Sequence, residues 1–171
     1  LRRWIAALGL PPLPAHGSTR IEADLLDARP DARARFDWHG ARVQRWRDLL
    51  HAGPLRDPLP PDWRAAWDGR MPLALPTGDT LTLLGADGFD AAVVVHARRG
   101  GERLRLPGRA HAHALKHLLQ DARVPPWQRG RLPLLSAADG TLLAAGDDLC
   151  SSTFAAWLEA RGARLQWTAV A

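Results

Sequence analysis

The sequence has a single cysteine, Cys150, in 171 residues. That excludes an internal disulfide framework and fits a reducing compartment; the residue is expected to be small and partly buried, not a catalytic thiol. Apolar residues nowhere run together for the roughly 18 positions a membrane span needs, and no apolar h-region precedes a small-residue cleavage site. A soluble, cytoplasmic protein with no membrane partner is expected. The nucleotide-binding pattern GxxxxGK followed by Ser or Thr is absent, as are an SGG-type pyrophosphate loop, GxSxG and CxxC. Internal repeats and low-complexity tracts are also missing, so no complete active site assembles from motifs alone. Lysine is nearly lacking too: Lys116 is the only one, and the remaining basic residues are arginines, whose planar fork suits phosphate.

What is present describes a folded, basic chain. An apolar content of 46% with 24% charged residues is that of a globular protein, long enough for one domain or two small ones. The net charge of +5 and a pI near 11.0 favour an acidic partner. The charge is concentrated between Arg98 and Leu135, which hold Lys116 and eight of the arginines. Gly-Gly, Pro-Gly and Pro-Pro-Trp breaks punctuate that stretch. Cations fixed along a definite backbone line up on one polyanion, and counterion release then makes binding strong and salt-sensitive. RNA is the first partner this suggests. Residue 1 is Leu and the only methionine is Met71, so the chain is expected to be the C-terminal part of something longer.

The apolar spacing predicts an α+β architecture in two lobes. Trp4, Ile5 and Leu8 follow helical spacing, stopped by Gly9 and Pro11-Pro12. Thr19 and Glu22 have capping-box spacing before a second helix with a stripe of Ile21, Leu25 and Leu26. Phe36, Trp38, Val43 and Trp46 flank a His39-Gly40 turn, which predicts a strand pair on those helices. This first lobe is assigned residues 1–52, followed by a proline-rich linker over 53–62 and a second lobe over 63–171. In the second lobe short strands are expected in MPLAL, TLTLL, AVVVHAR, ERLRL, LPLLS, TLLAAG and ARLQWTAV, with a hairpin turn at Asp139-Gly140. The best helix is His111 to Arg123, with Leu115, Leu118, Leu119 and Ala122 on one face. A further helix is expected over Ser151 to Gly162, with Ser152 as its N-cap.

Several groups carry possible chemistry, each with an ordinary alternative. Arg103 and Arg105 alternate on a strand, Arg109 follows a Pro-Gly turn, and His111 and Lys116 belong to the expected helix. Arg129 and Arg131 follow the Pro-Pro-Trp corner. Together these surround one phosphate-sized groove, unless they are merely a solvated face. Arg42, Arg45 and Arg47 form a comparable basic strand in the first lobe, for which a solvated edge is an equal reading. Trp127 and the other tryptophans are assigned to cores rather than to base stacking. His113 and His117 have the spacing of a two-histidine metal site, with His111 or Asp121 as a third ligand, but the basic surroundings disfavour a divalent cation. No metal is expected. Asp79, Asp139, Asp147 and Asp148 are read as turn residues.

At these residues the chain resembles the C-terminal region of bacterial tRNA(Ile)-lysidine synthetase. Gly100-Gly101-Glu102-Arg103, Pro107-Gly108-Arg109, Leu115-Lys116, Val124-Pro125-Pro126-Trp127 and Arg129 to Leu135 follow in the family's order, with a family-like core about residues 92–168. LRRWIAALGLPPLP and LLDARPDARARFDWHGARVQRWRDLL resemble the domain before it. The resemblance implies substrate recognition: these lobes hold the body of an isoleucine tRNA with a CAU anticodon, chiefly its acceptor stem. A separate N-terminal PP-loop domain with an SGGxDS motif then uses ATP, with magnesium, to adenylate the wobble cytidine for attack by lysine. No catalytic residue or cofactor is implied for this chain. His117, where the family commonly has a second lysine, weakens one phosphate contact at neutral pH, and Gln128 departs from the family's leucine. The competing readings are a basic protein-interaction or homodimerisation module that does not bind RNA, and, more remotely, a metal-dependent hydrolase using the histidines.

Overall fold

A computed structural model describes residues 1–26 and 34–170 of the chain. Leu1–Arg56 and Asp57–Ala171 each form a unit with its own core, and the architecture is α+β with small antiparallel sheets and few helices.

In the first unit, helix α1 (Arg2–Ala7) buries Ile5 and half-buries Trp4. Leu8 does not join that stripe and is 47% exposed, because the chain turns away at Gly9, whose φ is +67°. Helix α2 (Gly17–Ile21) continues into a π-helical turn, Glu22–Leu26. The capping box predicted from Thr19 and Glu22 does not form, since the helix starts earlier and Thr19 lies inside it. Its start is set by packing: a Cβ on Gly17 would come 3.2–3.3 Å from Pro14 and Leu13, while the Gly17 amide donates to the Pro14 carbonyl at 2.9 Å. Ile21 and Leu25 are fully buried; the Leu26 side chain, like residues 27–33, lies outside the described residues.

The predicted hairpin is present as β1 (Arg35–Trp38) and β2 (Ala41–Trp46), with Trp38 opposite Ala41. His39 and Gly40 both have positive φ, 38° and 76°, as a two-residue turn matching the strand twist requires. Alternation puts Phe36, Trp38, Ala41 and Val43 into one core with Ile5, Leu13, Ile21 and Leu25. A third strand, β3 (Leu49–Pro54), pairs with the other edge of β2. It buries none of its residues fully, so it carries no alternating signal.

The second unit is built on a five-stranded sheet in the order β12-β11-β10-β7-β4. Its strands are β4 (Arg64–Trp67), β7 (Val93–His96), β10 (Leu134–Ser136), β11 (Leu142–Ala145) and β12 (Leu149–Cys150). A three-stranded sheet joins β5 (Leu73–Ala74), β6 (Thr80–Leu84) and β13 (Arg164–Thr168). One face of the large sheet, with Trp67, Val93, Val95, Leu135 and Ala144, packs against Leu81, Leu83 and Leu165 of the small one. Helix α5 (Ser152–Ala160) adds Phe154 and Leu158 to that core. The residue that caps α5 is Ser151, not Ser152: its Oγ accepts the Phe154 amide at 3.2 Å.

On the opposite face, Leu134, Leu142 and Ala145 pack under helix α3 (Leu115–Asp121) and Leu104 of strand β8 (Arg103–Leu104). Leu115, Leu118 and Leu119 are buried as the leucine stripe predicts, but Ala122 is exposed. The helix is shorter than His111 to Arg123. His113–Ala114 instead forms strand β9, which pairs with β8 through Leu104 and His113. Arg123, at φ 55°, turns the chain out of α3, and the Val124 amide returns to the Leu119 carbonyl at 2.9 Å. A short helix α4 (Pro126–Arg129) follows, in which Trp127 is half-buried. Leu59, 3% exposed and donating its amide to the Gly130 carbonyl at 2.9 Å, places part of the proline-rich stretch on this unit's core.

Candidate nucleic-acid interface

The sheet register creates the candidate site. In β7, Val93 and Val95 face the core, so Val94 and His96 point to the other side. Arg64 lies opposite His96 on β4, and Ser136 lies opposite Val94 on β10. Over β10 and β11 this face is covered by α3 and β8. Toward β4 it opens into a cleft of about 460 Å³ lined by Arg64, His96, Arg99, Glu102, Arg103 and Ser136. Val94 and Leu142 supply apolar wall.

The loop after β7 shapes the rim. Gly100 and Gly101 have φ of 96° and 82°, with nothing within 4 Å of where a Cβ would stand, so backbone conformation rather than space demands glycine. That turn lets Glu102 Oε1 accept the amides of Arg99 and Gly100 at 2.6 and 2.8 Å. Burial pushes the Glu102 carboxyl up, but those amides, with the Arg98 charge beside them, outweigh it and hold the group below its ordinary value. Arg98 Nε stands 3.7 Å from Glu102 Oε2. Oε1 thus pins the loop so that Arg99 and Arg103 flank the cleft, while Oε2 is buried without a hydrogen-bond partner and has only the Arg98 charge beside it.

Other polar groups of the cleft are also fixed. His96 Nδ1 is 2.9 Å from the Ala97 carbonyl, which only accepts, so a neutral ring carries its proton there. Nε2 then accepts from the Ser136 hydroxyl at 2.8 Å, leaving the serine oxygen's lone pairs free for a donor. Arg103 uses Nη2 on the Ala112 carbonyl at 2.6 Å. Among the described residues, no partner engages the guanidinium of Arg64 or Arg99.

The residues selected from sequence scatter more widely. Arg103 reaches the cleft and, with Arg105, stands exposed on either side of buried Leu104; Arg105 donates to Ser152 Oγ at 3.2 Å. Arg109 and His111 are exposed in the connection between β8 and β9, and Lys116 is exposed on α3. Arg129 donates to the Val124 carbonyl at 2.7 Å, tying α4 to the end of α3. Arg131 is a correction: only 8% exposed, its Nη2 lies 2.5 Å from Asp79 Oδ1. It is a core ion pair, unable to reach an external phosphate. Asp79 is likewise no ordinary turn residue but fully buried, and Oδ1 also accepts the Val170 amide at 3.1 Å. With His113 on a strand, the helical two-histidine spacing does not exist, and no metal-holding group occurs among the described residues.

In the first unit the basic strand is largely engaged with its own fold. Arg42 grips Asp37 through two bonds of 2.6 and 2.8 Å, which hold that carboxyl below its ordinary value. Arg45 donates to the carbonyls of Arg47 and Leu25, and Arg47 lies over the Trp46 ring at 4.9 Å. Cys150 is half-buried; burial, helped by Asp147 and Asp148, pushes its thiol up to about 11, so it is not a nucleophile at neutral pH. No helix among the described residues is long and apolar enough to cross a membrane. Sequence reasoning missed Arg64, His96, Arg99 and Ser136. A polar residue closing the apolar run AVVVH, just before Arg-Arg-Gly-Gly-Glu-Arg, was the available signal.

Comparison with known proteins defines first a class, substrate-recognition domains, and then a family. The TilS substrate binding domain matches residues 1–51 and the TilS substrate C-terminal domain matches residues 93–167. A tRNA(Ile)-lysidine synthase of Xanthomonas campestris pv. campestris (strain 8004) is 47% identical over 173 residues, the match covering 100% of this chain and 40% of the relative. That of Xylella fastidiosa (strain 9a5c) is 48% identical, covering 98% and 39%, and that of Methylococcus capsulatus (strain ATCC 33009 / NCIMB 11132 / Bath) is 33% identical, covering 98% and 40%. A crystal structure of a TilS C-terminal domain aligns with a TM-score of 0.45 and 22% identity, over 64% of this chain and 99% of that one. The chain belongs to the tRNA(Ile)-lysidine synthase family and corresponds to its substrate-binding and C-terminal domains. It spans about 40% of the length of the curated relatives it matches.

Proposed function

We propose that this chain is the tRNA-recognition part of a cytoplasmic tRNA(Ile)-lysidine synthase, binding the acceptor stem of an isoleucine tRNA with a CAU anticodon. The complete enzyme then joins lysine to the wobble cytidine at the expense of ATP, with magnesium, in a domain outside the matched region. Within the second unit, Arg103, Arg105, Arg109, His111 and Lys116 form the phosphate-contacting surface, with Arg129 at its border. In the first unit Arg47 and the exposed parts of Arg42 and Arg45 add contacts.

The observation that carries this reading is the exposed cationic row from Arg103 to Lys116, held by the β8–β9 pair and α3 on domains of a tRNA-modifying family. Phosphate contact predicts that log affinity for a tRNA(Ile) transcript falls linearly with log salt concentration. Arg103→Ala or Arg109→Ala should each reduce the magnitude of the slope by roughly 0.7 to 0.9. Fluorescence anisotropy over a salt series measures it. A flat response, or slopes unchanged by both substitutions, refutes the reading.

A further inference from the structure

We propose that the cleft between β4, β7, β10 and the Gly100-Gly101 turn seats one unpaired nucleotide of the bound RNA. Its phosphate lies among Arg64, Arg99 and Arg103, and its base packs against Val94 and Leu142. The inference rests on the RNA-binding reading and adds to it a single-stranded contact that adjoins the duplex-tracking surface and shares Arg103 with it.

Size is the first argument. A cleft of about 460 Å³ falls within the range of roughly 300–1,000 Å³ typical of small-molecule sites. It is large enough for one nucleotide. Charge is the second. Three arginines line a space with one carboxylate among its described lining residues, Glu102, whose Oε1 accepts two amides and whose Oε2 lies 3.7 Å from Arg98 Nε. Arg64 and Arg99 spend no guanidinium donor within the described protein, unlike Arg131 or Arg42, which complete internal pairs. Three guanidinium groups against one carboxylate that already neighbours Arg98 leave an excess of positive charge, which matches an external anion, and the arginine fork matches phosphate in particular.

The uncharged lining selects what accompanies that phosphate. Val94 and Leu142 give an apolar surface for a base face, and arginine planes at the rim are themselves stacking partners for bases. In the neutral ring, with the Nδ1 proton on the Ala97 carbonyl, the Ser136 hydroxyl donates to His96 Nε2. Ser136 therefore meets the cleft as an acceptor, complementary to a ribose 2′-hydroxyl or an exocyclic amine. Of these contacts, packing of a base face against Val94 and Leu142 is the one that needs a base free of its pairing partner.

The test uses the whole chain and two fluorescent RNA hairpins with the same acceptor-like stem, one blunt and one with a four-nucleotide 3′ overhang, with AMP as competitor. The overhang hairpin should bind about tenfold more tightly, the scale of one stacked base with its phosphate. Arg64→Ala and Arg99→Ala should abolish that preference while blunt-hairpin affinity and the melting curve stay unchanged. Arg109→Ala, outside the cleft, should weaken both hairpins equally and preserve the ratio. AMP should displace the overhang only at concentrations far above those of RNA. Equal affinity for the two hairpins with normal salt-dependent duplex binding overturns the cleft assignment and leaves the duplex reading standing. Binding of neither hairpin overturns both. AMP binding as tight as the overhang hairpin makes this a site for a free nucleotide and also overturns the proposal.

Discussion

Removing the Arg131 guanidinium separates a structural role from an RNA-binding one. Arg131 is 8% exposed and Asp79 fully buried, so Arg131→Ala leaves a carboxylate inside the protein without its counter-charge. Breaking a buried pair from one side costs about 3–5 kcal/mol, because the surviving charge keeps its desolvation penalty. In a unit of this size that lowers the melting midpoint by roughly 10–20 °C. The pair is imperfect: Asp79 Oδ2 and Arg131 Nε are buried without a hydrogen-bond partner, so one contact carries most of the attraction. Replacing both residues together, Asp79→Leu with Arg131→Met, removes both penalties and should cost less than either Asp79→Ala or Arg131→Ala alone. Thermal unfolding followed by tryptophan fluorescence gives the comparison for all four proteins. An Arg131→Ala protein that melts like the parent but has lost tRNA affinity would refute the burial argument and return Arg131 to the binding surface. A double substitution as damaging as the summed single ones would show that the two residues act independently.

Lys116→Ala should weaken tRNA binding with stability unchanged within about 0.5 kcal/mol, since Lys116 is exposed on α3. Leu118→Ala, 3% exposed on the same helix, should cost about 2–5 kcal/mol; chemical denaturation that failed to separate the two would show the helix face to be wrong. The Cys150 thiol, raised from 9.0 to about 11 by burial, should resist a thiol reagent at pH 8 until the protein unfolds. Because the folded state holds that proton longer than the unfolded one, stability should decline as pH rises from about 9 towards 11. The decline should be absent in Cys150→Ala.

How far the sequence disclosed this arrangement depends on the range of the interaction concerned. TLTLL, the His39-Gly40 hairpin and the leucines of α3 were legible because periodicity and turn chemistry act within a few residues, and the core merely accepts what they offer. Strands β3 and β4 were not, since neither has a strong alternating pattern and each exists because a neighbouring edge supplies hydrogen bonds. The start of α2 was misplaced for a related reason: close packing of Gly17 against Leu13 and Pro14 overrode the local capping box.

The candidate site follows the same rule. Arg103, Arg105, Arg109 and Lys116 were visible because a charge run interrupted by glycine and proline is a local feature. Arg131 belongs to that run by sequence and to the core by structure, and only the Asp79 partner, 52 residues away, decides between them. Arg64 and His96 are 32 positions apart in the chain, yet they are direct cross-strand neighbours. Their meeting depends on β4 adding to the edge of β7, which no window of residues announces. Charge alone therefore nominated a surface strip, whereas sheet register placed Arg64 beside Arg99 and Arg103 around a cleft. The register also turns one face of β7 into core and the other into cleft wall. A shift of that strand by one residue would exchange Val95 with His96 and destroy both at once.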